Sequence, residues 1–271
     1  NKDFFLGYSP ERINPGDKNH SLNKISKLIS ASNIKSLNII NEVYSKITNG
    51  NTIKVNSIKI AEAAKVIENT QRDINIAFMN ELKIIFSKNN LNFNKILNAA
   101  STKWNFSHYH PGLVGGHCIG VDPYYIDFYA NKSKYKSKII KNSRIINDNM
   151  HINYFKDFNK IYKNFNIHQK NNNFKKILLL GVTFKPNIND IRNSKVVDLY
   201  EKLNSIYQVS LCDPHVNITD FKAMYNLRLI DLKNIDIRKY GAFIIAVKHN
   251  IILKFVKKSV FKKNQFIYEI N

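Results

Sequence analysis

The chain has 271 residues, 44% hydrophobic and 23% charged, a balance that fits a folded globular protein and excludes a disordered one. Lys and Arg outnumber Asp and Glu by 42 to 20, for a net charge of +22, but the lysines run through every segment alongside Asn and Ile. No apolar run approaches the roughly 18 residues that a membrane span needs. The two cysteines, Cys118 and Cys212, exclude a disulfide scaffold and suit a reducing cytoplasm.

A basic chain can mark a nucleic-acid or membrane-surface protein. This one has no aromatic RNA-reading strand and no zinc-finger spacing, so neither nucleic acid nor membrane is expected as a partner. An anionic small ligand is the better match to the charge. No basic-then-apolar leader opens the chain, so secretion is not expected. Because it opens at Asn1 on what reads as a buried strand, Phe4–Tyr8, a fragment is expected.

After that strand, Ser9-Pro10-Glu11-Arg12 and Asn14-Pro15-Gly16-Asp17 forbid a helix. Leu37, Ile40, Val43, Tyr44 and Ile47 predict an amphipathic helix over 34–48, ended by Asn49-Gly50-Asn51 and followed by a short strand at Thr52–Val55. From Ser57 a helical stripe of Ile60, Ala63, Ala64, Ile67, Ile74, Phe78, Leu82 and Ile85 covers about thirty residues without Pro or Gly. A helix that long is expected at a domain or subunit interface. Shorter helices are expected around 92–100 and 123–165, then a polar linker at Gln169–Asn173. Beyond it, strands at Lys176–Gly181, Val209–Cys212, Phe243–Val247 and Phe266–Ile270, with a helix at Ser194–Leu203, predict a parallel sheet covered on both faces.

Three places carry chemistry. The first is Pro111-Gly112-Leu113-Val114-Gly115-Gly116-His117-Cys118. Glycines let backbone amides approach an anionic ligand, and a cysteine directly after them is either a thiolate nucleophile or an inert buried thiol. Asp122 returns to the same side if a helix starts here. His108, His110, His117 and Cys118 match no common zinc spacing, so no metal is expected. The second place is the long helix, where Lys65 and Asn69 share a face as either solvated or functional groups. The third is Gly181-Val182-Thr183-Phe184-Lys185-Pro186, with Asp190 and Arg192 beyond it. There a strand, a glycine and two cations precede a helix, as a diphosphate clamp would require. No G-x-G-x-x-G occurs in the chain.

These segments, taken in order, resemble the UDP-glucose/GDP-mannose dehydrogenase family: Tyr8-Ser-Pro-Glu-Arg-Ile-Asn-Pro-Gly16, Ala61-Glu-Ala-Ala-Lys-Val-Ile-Glu-Asn69 with Arg72-Asp-Ile-Asn-Ile-Ala77, Gly115-Gly-His-Cys-Ile-Gly-Val-Asp-Pro-Tyr124, and Leu180-Gly-Val-Thr-Phe-Lys185 with Asp190-Ile-Arg-Asn-Ser194. The third motif, with Trp104-Asn105-Phe106 before it, is most similar to UDP-N-acetylhexosamine dehydrogenases of bacterial surface-polysaccharide synthesis.

The resemblance implies an α/β chain in three pieces. Residues 1–55 would be the remnant of a Rossmann NAD domain, 56–168 a central all-helical domain whose long helix forms a homodimer, and 169–271 a Rossmann-like UDP-sugar domain. It implies a cytoplasmic oxidoreductase that takes a sugar C6 alcohol to a carboxylate with NAD, through a thiohemiacetal and a thioester on Cys118. By the same resemblance Lys65 and Asn69 stabilise the oxyanion, Asp122 handles protons or holds water, and Glu11 assists thioester hydrolysis. Gly112, Gly115, Gly116 and Lys185 hold the nucleotide sugar. Which residues bind the cofactor is left open, since the glycine fingerprint is missing. Two rival readings are a non-catalytic remnant that binds UDP-sugar or dimerises, and a basic nucleic-acid-binding protein, which the scattered lysines disfavour.

Overall fold

The computed structural model describes residues 4–13, 19–169 and 173–270. The expected turn at 14–17 and most of the expected linker lie outside the described residues. The chain divides into two compact units, 1–71 and 72–271, with the division falling inside one long helix.

In the first unit, β1 (Gly7–Tyr8), β2 (Lys27–Ala31) and β3 (Thr52–Lys54) form a sheet in the order β1-β2-β3, the first pair antiparallel and the second parallel. The strand expected over Phe4–Tyr8 is shorter and more exposed than the sequence predicts. Only Gly7 and Tyr8 pair, because β1 is an edge bonded on one side, and Phe4, Phe5 and Leu6 are about half exposed. The central strand β2 is buried through Ser30 although it begins with a lysine. Lys27 is tolerated there because its ammonium lies 3.6 Å from Glu11 Oε2 and faces the Tyr44 ring. Helix α1 (Ile34–Ile47) starts where Asn33 Oδ1 accepts from Ser36 N at 2.8 Å and stops at Asn49 and Gly50, both with positive φ. Its expected apolar stripe is only partly inward: Leu37, Ile40 and Tyr44 are half-buried, whereas Val43 and Ile47 are exposed.

Helix α2 runs from Ile58 to Lys88, as its unbroken period predicts. Its apolar stripe nevertheless points mostly outward. Ile60, Ile67, Phe78 and Ile85 are about half exposed, while Ala61, Thr70, Asp73, Ala77, Met79 and Asn80 are buried. The inward face is therefore mostly small and polar, and Asp73 and Asn80 on it bond to side chains of the helix Lys138–Asp148 and to the loop at Gly112, as described below. Helices α3 (Phe93–Ala100), α4 (Asp122–Lys132), α5 (Lys138–Asp148) and α6 (Met150–Gln169) complete the helical stretch.

The second sheet comprises β4 (Lys176–Leu180), β5 (Gln208–Cys212), β6 (Ala242–Ile245) and β7 (Phe266–Glu269), all parallel, in the order β5-β4-β6-β7. Helix α7 (Lys195–Asn204) joins β4 to β5, α8 (Ile218–Tyr225) follows β5, and α9 (Asn250–Lys258) joins β6 to β7. Strand alternation separates two cores. Ile177, Leu179, Ala242 and Ile244 face α6, α7 and α8, whereas Leu178, Leu180, Phe243 and Ile245 face Ile252 of α9. Phe158 and Tyr162 of α6 anchor the larger core, packed against Tyr207 and Phe266. Among the described residues no helix is long and apolar enough to cross a membrane.

At the α2–α6 contact within the second unit, Lys83 Nζ lies 4.5 Å from the centroid of the buried Tyr154 ring. Burial, aided by Lys248 and opposed by Asp157, pulls the Lys83 ammonium down to about 8. The unfolded chain then binds more protons at this site than the folded one, so its contribution makes stability rise as pH climbs through and above that value. Between pH ~8 and ~9.5, before free tyrosines titrate near ~10, urea melts should show the wild type gaining stability relative to Lys83→Met. A difference between the two proteins that stays flat over this range would contradict it.

Candidate active site

In the second unit, the connection that leaves β4 runs through α7 on one face of the sheet and the connection that leaves β6 runs through α9 on the other, so the chain switches faces between β4 and β6. That is the topological switch point at which open parallel sheets hold ligands. A cavity of about 160 Å3 opens there, lined by Gly112 and Gly115 of the glycine loop, Thr183, Phe184 and Pro186 after β4, and Val247 and Lys248 after β6.

The backbone at this point has little freedom. Gly181 has φ +88°, and a Cβ on it would lie 2.6 Å from Val247 Cβ, so glycine is required to let the two loops close on each other. Gly116 also has positive φ, and a Cβ on Gly115 would fall 2.6 Å from Asn193 O. The glycines thus let this loop press against residues 184 and 193–195.

A buried polar network fixes the start of the loop. Asn80 of α2 accepts from Gly112 N at 2.8 Å and donates to Gly112 O at 3.0 Å. The same amide nitrogen bonds Asn147 Oδ1 at 2.9 Å, and Asn147 donates to Asp73 Oδ1 at 2.7 Å. Arg144 bridges Asp73 and Asp148, at 2.5 and 2.6 Å. Burial works against the Arg144 charge, but Asp73 and Asp148 outweigh it and hold the guanidinium protonated. A second cavity of about 280 Å3 shares Gly115 and Lys195 with the first and is lined also by Gly116, Gly120, Arg144 and Asp148. Lys195 is the first residue of α7, whose N-cap Ser194 spends its hydroxyl on Val182 O and leaves the helix terminus without a side-chain cap. Helix amides and a lysine beside a glycine loop suit an anionic ligand.

Cys118 is half-buried and follows this loop. Its carbonyl accepts from Val121 N at 3.0 Å and Asp122 N at 2.8 Å, a turn that leads into α4 with Pro123 in its first turn. Cys118 and Asp122 are therefore one turn apart, as the spacing predicts. The exposed His117 lies 3.5 Å from Asp190 Oδ2 and 3.5 Å from Arg192 Nη2, and Arg192 also pairs with Asp190 at 2.6 Å. Its hydrogen bonds to Asp190 raise the Arg192 guanidinium, and Cys118 is close enough to add to that effect. A thiolate here would have a cation nearby. Lys185 is half-buried, and its carbonyl accepts from Thr183 Oγ1 at 2.9 Å. Among the described residues no group of three or more His, Cys, Asp or Glu side chains could hold a metal ion.

Glu11, Lys65 and Asn69 belong to the first unit. Burial pushes the Glu11 carboxyl up, but the hydrogen bond from Ile13 N and the charge of Lys27 hold it below its usual range. Glu11 is therefore ionised at neutral pH, an acceptor for water and a modest base. Lys65 and Asn69 are half-buried on α2, and between them Glu68 pairs with Arg12 at 2.8 Å.

The sequence reading did not find Asn80, Asn147, Lys195 or the buried pair Asp213–His249. Asn80 gives no signal in the sequence, because it lies off the apolar stripe of α2, and its buried position depends on partners elsewhere in the fold. The other three give none either without the fold.

The segment 59–149 matches the central domain of the UDP-glucose/GDP-mannose dehydrogenase family, and 178–271 matches that family's UDP binding domain; together they make up well over half of the chain. The chain belongs to the UDP-glucose/GDP-mannose dehydrogenase family. Within it, the chain is 45% identical over 252 residues to the UDP-N-acetyl-D-glucosamine 6-dehydrogenase of Salmonella typhi, and 45% identical over 251 residues to that of Pseudomonas aeruginosa. Each alignment covers 92% of this chain and 58% of the relative, so the chain spans little more than half of those proteins. The solved UDP-N-acetyl-mannosamine dehydrogenase of S. aureus superposes with a TM-score of 0.75 at 27% identity, over 98% of this chain and 64% of that one.

The two thiols should differ sharply in reactivity. Cys212 is fully buried at the end of β5, and burial followed by Asp213 and Asp231 pushes its thiol up to about 12. With iodoacetamide at pH 8, peptide mass spectrometry should find Cys118 alkylated while Cys212 stays intact until the protein unfolds. Equal rates in the native chain would show that Cys118 is as shielded as Cys212.

Proposed function

We propose that this chain supplies the nucleotide-sugar-binding and thiol-bearing parts of an NAD-dependent UDP-N-acetylhexosamine 6-dehydrogenase in surface-polysaccharide synthesis. One observation carries the reading. The cavity at the switch point of a parallel sheet is walled by the same glycine loop that ends in Cys118. A UDP group seated there would have its diphosphate near the amides of residues 112–116 and the ammonium of Lys195, with Lys185 on the adjoining turn as a second cation and the sugar on the side of the loop that leads to the thiol.

NAD+ would accept the two hydrides. The described residues do not form a dinucleotide cradle: in the first unit, Gly7 faces Ile40 and Gly50 ends α1, so no glycine-rich turn leads from a strand into a helix. No hydride step is therefore assigned to particular residues. Between the two oxidations the Cys118 thiolate attacks C6 of the aldehyde. A C–S bond forms and the carbonyl pair moves to oxygen as an oxyanion, which the family resemblance assigns to Lys65 and Asn69 to stabilise. After the second oxidation water attacks the thioester carbon, the C–S bond breaks and the thiolate leaves. The proton of that water goes to a carboxylate, the part that the family resemblance gives to Glu11 or Asp122. The exposed half-turns of α2 at Ile60, Ile67, Phe78 and Ile85 suit burial against a second copy, which makes the chain one half of a homodimer.

Three measurements test this reading. UDP should bind the chain in calorimetry, and a UDP-N-acetylhexosamine 6-aldehyde should protect Cys118 from iodoacetamide better than the parent alcohol, because only the aldehyde forms the thiohemiacetal. A chain that binds UDP but gains no extra protection from the aldehyde would end the covalent mechanism, and one that ignores UDP would end the nucleotide reading. In sedimentation equilibrium the wild type should be a dimer and Phe78→Glu a monomer of unchanged helicity. A monomeric wild type would remove the dimer.

A further inference from the structure

The turn that carries Phe184 and Lys185 leans on a buried histidine. His249, the N-cap of α9, is fully buried, as is Thr183, and Asp213 is almost so. Asn187 N–H donates to His249 Nδ1 at 2.9 Å. On the other edge of the ring, Nε2 lies 3.0 Å from Asp213 Oδ2 and 3.1 Å from Thr183 Oγ1.

These partners choose the tautomer. A nitrogen that receives an N–H carries no proton, so Nδ1 is the bare acceptor. Nε2 faces a carboxylate oxygen and a hydroxyl whose own proton is already given to Lys185 O, so Nε2 carries the hydrogen. Asp213 Oδ2 also accepts from Val182 N at 2.7 Å, and Asn187 Oδ1 accepts from Asn250 N at 2.9 Å. The His215 ring lies against it at a tilt of 33° with centroids 4.6 Å apart, and the His215 amide donates to Asp213 Oδ1. The ends of β4, β5 and β6 are thus tied through one imidazole, and the turn from Val182 to Asn187 is tied at both of its ends.

We propose that His249, neutral and protonated on Nε2, is a positioning residue that sets the Thr183–Asn187 turn for nucleotide-sugar binding. It touches no substrate itself. It holds the Asn187 end through Nδ1 and the Thr183 end through Nε2, so Phe184 rests against Gly116 and Lys185 is offered from a fixed backbone. The proposal rests on the nucleotide reading for its ligand, but the geometry of the turn can be tested apart from it.

The two halves of the ring can be replaced separately. In His249→Asn, Oδ1 takes the place of Nδ1 and keeps the Asn187 bond. In His249→Gln, the amide reaches the place of Nε2 and keeps the Asp213 side. His249→Leu keeps neither. In the intact chain, nitrogen-15 spectra of the histidines should show His249 as the Nε2–H form, and hydrogen exchange should find the Asn187 amide protected. His249→Leu should expose that amide and bind UDP about tenfold or more weakly, a loss of about 1.4 kcal/mol or more. His249→Asn should restore the protection of Asn187 and most of the affinity, which a residue that only stabilises the fold would not do. A folded His249→Leu with wild-type UDP affinity and a protected Asn187 amide overturns the proposal, as does an Nδ1–H form in the wild type. A wild type that fails to bind UDP overturns the nucleotide reading instead, and the spectrum and the Asn187 amide then decide whether His249 sets the turn.

Discussion

A run of glycines has no side chains by which to be packed, so its position must be fixed through its own backbone or through what it rests on. Here the fixing group is Asn80, which satisfies both the N–H and the C=O of Gly112 with one amide. Everything at the site depends on that clamp. The loop leaves Gly112, lines both cavities at Gly115, and delivers Cys118 to the start of α4. Asn80 is itself held by Asn147, and Asn147 by Asp73, so the clamp belongs to a chain of buried polar groups from α2 to α5. Such a chain favours one arrangement strongly, because a slip at any member leaves a buried polar atom without a partner.

The network is not fully satisfied. Asp73 Oδ2 and Arg144 Nε are buried and have no hydrogen-bond partner. Removing Arg144 alone would strand Asp73 as an uncompensated buried carboxylate, a larger loss than removing both together. The other side of the site uses the same device at smaller scale, with Asp213 and His249 tying the turn after β4. Both supports are polar and buried, one holding Gly112 of the glycine loop and the other the turn whose Phe184 lies against Gly116.

The parallel sheet, the long helix and the glycine loop are legible in the sequence because each rests on local rules. Continuous apolar runs mark buried parallel strands, an unbroken 3.6 period marks α2, and glycines mark the close approach. The family followed from four motifs in order, and the matched domains agree with it. Strand β2 escaped notice because its burial depends on Lys27 finding Glu11 and Tyr44, a pairing that no periodicity reveals. Helices α8 and α9 were also passed over, the first despite Asn217 capping it and Asn226 ending it. The stripe on α2 was read as the buried face because apolar residues usually are. It faces outward because the inward face is committed to Asp73 and Asn80. The supports of the site were out of reach for a different reason: their partners are distant in sequence, Asn80 from Asn147 and Asp213 from His249.

Asparagine has an unusual share in the backbone of this chain. Among the described residues, six non-glycine positions have positive φ, and five are asparagines: Asn49, Asn90, Asn187, Asn193 and Asn226. A glycine would take the same dihedrals with less steric resistance, but it would bring nothing else. Asn187 turns the chain and also accepts from Asn250 N, and Asn193 turns the chain and also reaches Gly116 O. Each amide is therefore both a hinge in the backbone and a strut across it. Spontaneous deamidation would affect the two roles differently. The resulting aspartate can still adopt the left-handed turn, but at position 193 it loses the donor that reached Gly116. Slow chemical ageing would then leave the fold standing while the glycine loop lost one of its ties.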